Sequence, residues 1–318
     1  MNSSWQAHIL CLGNATIDRV YHLAHTPQLA EKQVAVEAVQ TGGGKAANAA
    51  VAISKLGGRA TFLGSVGDDE LGDAIIAGLA QDGVNVRHVP RVAGATSSHS
   101  VVLVDTRGER TIINVPARGI SADPAWLPLA QVGAAQAVLA DIRWIKGCAA
   151  LAQVAHAARV PVILDIDPTS ADAAKDEWPQ VIALADYAIF SRRGLAHFSG
   201  TGDTTKALKK ALAAGARMAC VTNGAHGAWW MSQTDFTPQH VPAYAVRATD
   251  TLGAGDVFHG AFALAIARGE TVTDALLFAS AAAAVKVQRN GGRSGYPVEE
   301  EVRAMLAAPA AHAAVDAA

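Results

Sequence analysis

The chain of 318 residues carries 26 Lys and Arg against 28 Asp and Glu, a formal net charge of −2, so no global field favours nucleic acid or an anionic membrane. Hydrophobic residues make up 51% and charged residues 17%, which excludes a disordered chain. The length suits about two domains, or one large core with a smaller lobe.

The apolar run 8–12 predicts a strand ending at Gly13. The more polar stretch 14–40 alternates in places, as in Arg19-Val20-Tyr21-His22-Leu23, and predicts two short strands outside the main core. Thr41-Gly42-Gly43-Gly44 then opens a helix over 45–56, with Ala47, Ala50, Val51 and Leu56 at helical spacing and Gly57-Gly58 as its stop. A strand over 59–66 and a helix over 70–81, ended by Gly83, follow. Alternation over 98–105 and 110–115 around Thr106-Arg107-Gly108-Glu109 predicts a hairpin.

From there strands over 137–140, 161–166, 187–190 and 218–222 alternate with helices over 149–158, 179–185 and 205–214. Such alternation implies right-handed crossovers and a parallel sheet covered on both faces. Helices over 257–268, 273–288 and 298–306 complete the chain before an Ala-rich tail expected to fray. The expected fold is α/β, with a three-layer αβα core and a mainly parallel sheet. Residues 1–13, 41–96 and 117–318 form that core, and a small β-sheet lid is inserted as 14–40 and 97–116.

Mean hydropathy is +0.20, an excess that comes from alanine. The uncharged run 125–140 is too short to span a membrane and contains Pro128. No basic region precedes an apolar stretch at the N-terminus, so no signal peptide is expected. Cys11, Cys148 and Cys220 are dispersed and apolar in setting, which predicts buried, reduced thiols and a cytoplasmic protein. The 11 histidines show no metal-ligand spacing.

Asp250-Thr251-Leu252-Gly253-Ala254-Gly255-Asp256 runs straight into an apolar helix. Small residues let a ligand approach the backbone, and free amides at a helix start hold anions such as phosphate. A carboxylate at that mouth can act as base toward a nearby hydroxyl; an acid in a first helical turn is also favoured on electrostatic grounds alone. Gly42-Gly43-Gly44-Lys45-Ala46-Ala47-Asn48 is a second Gly-rich helix entry, matching neither a Walker A loop nor a dinucleotide fingerprint. Asn48, if buried, needs a partner, either a sugar hydroxyl or a backbone carbonyl.

These segments, with Gly13-Asn14-Ala15-Thr16-Ile17-Asp18, Gly64-Ser65-Val66-Gly67-Asp68-Asp69 and Thr222-Asn223-Gly224-Ala225-His226-Gly227, stand in an order that resembles the PfkB (ribokinase-like) carbohydrate kinases over nearly the whole chain. The resemblance implies an ATP-dependent kinase with Asp256 as base and the amides of Gly253, Ala254 and Gly255 holding the phosphoryl charge. It places Asp18, Gly43, Gly44 and Asn48 on sugar hydroxyls, and Ser191, Thr222, Gly224, Gly227 and Asp250 on the nucleotide side. It also implies Mg2+, leaves room for a monovalent cation, and suggests a homodimer formed through the lid. The family's Asn-x-x-Glu motif is replaced by Ser191-Arg192-Arg193-Gly194, which leaves Asp165 or Asp167 as candidate carboxylates near the metal.

A narrower resemblance is to the 6-deoxy-6-sulfofructose kinases. It is carried by Gly42-Gly43-Gly44, Asp105-Thr106-Arg107-Gly108-Glu109-Arg110, Ile112-Ile113-Asn114, Leu139-Ala140-Asp141-Ile142-Arg143-Trp144 and the stretch 191–195. It implies a sulfonate held by Lys32, Asn114 and Arg143. Three readings follow: a kinase for an anionic ketose, a kinase for a neutral sugar, nucleoside or sugar phosphate, and a non-catalytic sugar- or nucleotide-binding protein.

Overall fold

The computed structural model describes residues 5–26, 30, 32–106, 110–168 and 175–308. In chain order the elements are β1 (His8–Leu12), β2 (Thr16–Leu23), β3 (Ala35–Gly43), α1 (Lys45–Lys55), β4 (Arg59–Leu63), β5 (Val66–Gly67), α2 (Glu70–Gln81), β6 (Arg91–Val92), β7 (His99–Val104) and β8 (Arg110–Val115). They continue with β9 (Ala137–Asp141), α3 (Ile145–Ala157), β10 (Val162–Ile166), α4 (Trp178–Ile182), β11 (Tyr187–Ser191), α5 (Arg192–Ser199), α6 (Thr204–Ala213) and β12 (Met218–Thr222). The last are β13 (Ala228–Ser232), β14 (Gln239–Val241), α7 (Ala254–Ala267), α8 (Val272–Val287) and α9 (Glu299–Ala307).

The main sheet has the order β14-β13-β12-β11-β10-β9-β1-β4. It is parallel from β4 to β12, with β13 and β14 added antiparallel at one edge. Strands β1, β9 and β10 are buried throughout, as apolar runs covered on both faces must be. Side-chain alternation sorts the core into two layers. Ile9, Cys11, Phe62 and Leu139 pack with α1, α2, α7, α8 and α9; Leu10, Leu12, Val138 and Leu164 pack with α3, α4, α5 and α6. Cys11, Cys148 and Cys220 are free and buried, and burial pushes all three thiols up. Among the described residues, no helix is long and apolar enough to cross a membrane.

The second sheet has the order β3-β2-β7-β8, parallel only between β2 and β7. Its strand β3 continues through Gly43, so the Gly-rich segment 42–43 is the end of a strand and not a loop preceding a helix. Helix α5 was not expected from its polar start. Ser191 caps its N-terminus, accepting from Gly194 N at 2.9 Å, and left-handed Gly200 (φ 74°) ends it. The edge hairpin β13–β14 was also not expected. The strand read over 59–66 stops at Leu63, and α3 starts four residues before the expected 149. The tip of the hairpin at 107–109 and the tail from 309 lie outside the described residues.

Helices α1 and α7 pass very close. A Cβ on Gly260 would stand 2.6 Å from Ala49 O and 3.1 Å from Ala52 Cβ. Their contact surfaces are built of alanine and glycine, which lets the backbones approach. Gly260→Val should force them apart and destabilise the fold by about 1–3 kcal/mol, read as a lower urea midpoint at unchanged slope. An unchanged midpoint would contradict the packing account.

Candidate active site

The loop 250–256 enters α7 through Gly253, which caps the helix in the left-handed region (φ 75°). A Cβ there would collide with the Tyr296 hydroxyl. Among the described residues, the amides of Gly253, Gly255 and Asp256 donate to no protein acceptor, whereas Ala254 N is spent on Thr251 O at 3.2 Å. Of the three amides expected to face an anion, those of Gly253 and Gly255 are therefore unpaired, as is the neighbouring Asp256 N.

Asp256 stands in the first turn of α7 and accepts from Asn48 Nδ2 at 2.7 Å. Asn48 Oδ1 in turn accepts from Arg293 Nε at 2.8 Å, and Arg293 Nη2 donates to Gly43 O at 3.1 Å. The buried Asn48 thus has as hydrogen-bond partners a carboxylate and a guanidinium in place of the expected backbone carbonyl or sugar hydroxyl. Burial and the negative charge of Asp165 push the Asp256 carboxyl up to about 6, against the opposing Asn48 bond and the charges of Lys45 and His259. His259 is buried, packs edge-on against Phe258, and donates from Nδ1 to Gly255 O at 2.7 Å. It is both a packing residue and a support of the loop.

Asp18 on β2 is buried, and that burial holds its carboxyl above the usual range despite Ser100 and Arg293. A Cβ on Gly43 would fall on the Asp18 carboxylate, and one on Gly42 on the Arg293 guanidinium. Gly44 (φ 90°) lies against the backbone of Asn14 and Ala15. Asp18, Gly43, Asn48, Arg293 and Asp256 are in this way brought to one place, where the small sheet meets α1 and α7. Beside it a cavity of about 530 Å³ opens between the sheets, lined by Asn14, Ser98, Asn114, Arg143 and Trp144 among others. Arg143 Nε pairs with buried Asp141 Oδ2 at 3.4 Å. Burial works against the Arg143 charge, but the carboxylates of Asp141, Asp165, Asp256 and Asp167 outweigh it and raise its pKa. Lys32 stands exposed ahead of β3 and does not line this cavity.

A second cavity, of about 390 Å³, lies on the other side of the loop and is lined by Thr222, Gly224, Gly227, Tyr244, Ala254 and Gly255 among others. Ser191 and Asp250 are absent from its wall. Ser191 Oγ donates to Asp167 Oδ1 at 2.7 Å, and Asp250 is paired with Lys286 at 3.0 Å.

Among the described residues, no group of three or more potential ligands is arranged to hold a metal ion. Asp167 is already engaged by Lys45 Nζ at 2.8 Å and by Ser191; these and Arg193 lower its pKa although burial works the other way. Asp165 is buried, and its Oδ1 has no hydrogen-bond partner among the described residues, with His259 Nε2 at 3.6 Å. The carboxylates do not by themselves form a metal cage. Sequence reasoning did not single out Arg293, Lys45 or Asp141; Lys45 and Asp141 lie inside the motifs 42–48 and 139–144, quoted for their neighbours, and the Gly291-Gly292 pair is the local signal before Arg293.

The raised Asp256 pKa has a sign. A carboxyl whose folded value, about 6, lies above its ordinary 3.8 stabilises the fold fully below the lower value and loses that contribution as pH rises through the higher one. The Asp256→Asn variant should therefore gain melting temperature relative to the unsubstituted chain between pH 4 and pH 7. A difference that stays flat with pH would contradict this environment.

Residues 6–299 match the model of the pfkB family carbohydrate kinases. The chain is 30% identical over 275 residues to a ribokinase of Schizosaccharomyces pombe, covering 82% of this chain and 85% of that one. Its structure is similar to that of Thermotoga maritima ribokinase, with TM-score 0.80, 28% identity and coverage of 95% and 99%. It is likewise similar to Arabidopsis thaliana ribokinase complexed with ribose and ATP, with TM-score 0.80, 26% identity and coverage of 95% and 99%. With the loop, the helix start and the two cavities arranged as described, the chain belongs to the pfkB family of carbohydrate kinases and is an ATP-dependent sugar phosphotransferase.

Proposed function

We propose that the chain transfers the γ-phosphoryl group of ATP to C1 of an anionic ketose, with 6-deoxy-6-sulfofructose as the leading substrate. The observation that carries the substrate class is that Arg143 and Asn114 line one cavity, with Arg143 within electrostatic reach of Asp256. A guanidinium and an amide suit a tetrahedral anion. Lys32, exposed ahead of β3, would add a mobile charge when the small sheet, carried by 14–40 and 97–116, closes as a lid.

In this reading Asp18, Gly43 and Asn48 orient the sugar hydroxyls, and Asp256 takes the proton of the acceptor hydroxyl. The amides of the 253–256 loop hold the charge of the transferring group. Thr222, Gly224 and Gly227 seat the nucleotide. Closure excludes water, the competing acceptor. Mg2+ neutralises phosphate charge in such transfers and would arrive held by nucleotide and water, with Asp165, whose Oδ1 lacks a hydrogen-bond partner among the described residues, as a candidate carboxylate. A second reading, a neutral sugar such as ribose or fructose, is favoured by the ribokinases among the relatives and by Asp141, which already neutralises Arg143. The non-catalytic reading is disfavoured by family membership and by the retained Asp256.

The test is ADP release with MgATP over 6-deoxy-6-sulfofructose, fructose 6-phosphate, tagatose 6-phosphate, fructose, ribose and adenosine. Asp256→Asn should lose about 10²–10⁴ in kcat, and kcat/KM of the unsubstituted enzyme should fall as pH drops below about 6, where Asp256 takes up its proton. Arg143→Ala should raise KM for the C6-anionic ketose about tenfold or more. Preference for a neutral sugar, indifferent to Arg143, would overturn the anionic substrate and leave the kinase standing.

We also propose a cytoplasmic homodimer paired through the small sheet, whose Val36, Ile112 and Ile113 are 74%, 56% and 54% exposed. The double substitution of Val36 and Ile113 by Asp should halve the mass seen by light scattering. An unchanged mass would remove this interface.

A further inference from the structure

Lys286 is the one lysine among the described residues that is wholly buried; its side chain is 0% exposed, in the last turn of the alanine-rich helix α8. Its ammonium is ringed by oxygen. Nζ lies 3.0 Å from Asp250 Oδ2, 3.1 Å from Asp250 O and 3.1 Å from Arg289 O. Three acceptors call for three N–H donors, which the ammonium supplies and a neutral amine does not. A carboxylate oxygen with main-chain carbonyls is also the donor set that replaces the hydration shell of a bare monovalent cation such as potassium.

The ring lies at the root of the anion hole. Asp250 begins the loop that ends at Asp256, and its Oδ1 accepts from Leu252 N at 2.8 Å, one residue before the left-handed Gly253. Thr249 N and Asp250 N donate to Val287 O, at 2.6 and 3.1 Å, and so tie the same strand of loop to the end of α8. Arg110 reaches Asp250 Oδ1 at 3.4 Å and Thr251 Oγ1 at 2.5 Å from the small sheet. The loop is therefore pinned at its first residue by a cation that cannot leave. An exchangeable monovalent cation does not fit here, because the oxygens that would hold it already face Nζ.

We propose that Lys286 is a tethered cation that holds Asp250 and, through it, the 250–256 loop in its phosphoryl-binding shape, so that this enzyme needs no monovalent cation. Lys286 is a positioning residue; it touches neither sugar nor nucleotide. The inference rests on the reading of the 253–256 amides as the phosphoryl site.

The experiment compares the unsubstituted enzyme with Lys286→Ala and Lys286→Met in KCl, NH4Cl and choline chloride at equal ionic strength. The unsubstituted enzyme should show the same kcat/KM in all three. Lys286→Ala, which empties the ring, should lose at least tenfold in choline chloride and recover most of that loss in KCl or NH4Cl. Lys286→Met, which fills the space without charge, should not recover. Melting temperatures, measured without substrate, give the independent reading: Lys286→Ala should rise with potassium or ammonium and not with choline. Severalfold stimulation of the unsubstituted enzyme by KCl over choline would overturn the proposal, as would a Lys286→Ala protein whose melting temperature is blind to the cation. If no sugar on the panel is turned over, the kinase site reading fails while the melting series still decides the role of Lys286.

Discussion

The hydrogen bond from Asn48 Nδ2 to Asp256 Oδ2, at 2.7 Å, joins two helix starts separated by 208 residues of chain. Everything else in the site depends on the closeness it reports. It forms only because α1 and α7 pack through alanines and Gly260, backbone nearly against backbone. That contact places the end of strand β3, which carries Gly42 and Gly43, beside the loop that carries Gly253 to Asp256. The small sheet is attached to the core at the same point, since β3 runs directly into α1. A movement of the small sheet is therefore a movement of the groups that face Asp256.

The second constraint is electrostatic. Asp141 ends β9, Asp165 lies in β10 with Asp167 just beyond it, and Asp256 faces them from α7. Three carboxylates at the carboxyl ends of parallel strands and a fourth facing them from a helix would repel one another, and Lys45, Arg143 and Arg293 are set among them. The balance is uneven. Asp167 is held ionised by Lys45 and Ser191, while Asp256 is pushed toward its neutral form. Neighbouring acids with opposite shifts are a mark of acid–base sites. The ends of such strands are also where open α/β sheets bind ligands, and both cavities open there.

Much of this was legible in the sequence. Helix α2 was readable to its exact ends because Asp69 caps it and Gly83 stops it. The parallel strands were readable because burial on both faces makes them apolar runs. The loop 250–256 was readable because its small residues run straight into an apolar helix, and at Gly253 the left-handed backbone against Tyr296 requires glycine. Local pattern does not reveal long-range partners. Arg293 bonds to residues 245 and 250 positions away and sits in a segment that looks like an ordinary Gly-rich turn. Lys286 looks like an interruption in a core helix until Asp250 and Arg289 are placed around it. Asp250 stands in the loop that the pattern picked out, but its carboxylate is paired with Lys286 and does not line the second cavity. Helix α5 starts with two arginines and has only two buried large apolar side chains, Leu195 and Phe198, too few to show a helical period.

In the proposed transfer the Asp256 carboxylate meets the acceptor hydroxyl, and the amides beside it meet the transferring phosphoryl group. The most direct test is a crystal structure with ADP, aluminium fluoride and the best sugar of the panel. The account predicts the fluoride group on the amides of Gly253, Gly255 and Asp256, with the acceptor hydroxyl within hydrogen-bond reach of the Asp256 carboxylate and no longer answered by Asn48 alone. A fluoride group bound away from the 253–256 loop, or an acceptor hydroxyl facing a different base, would contradict it.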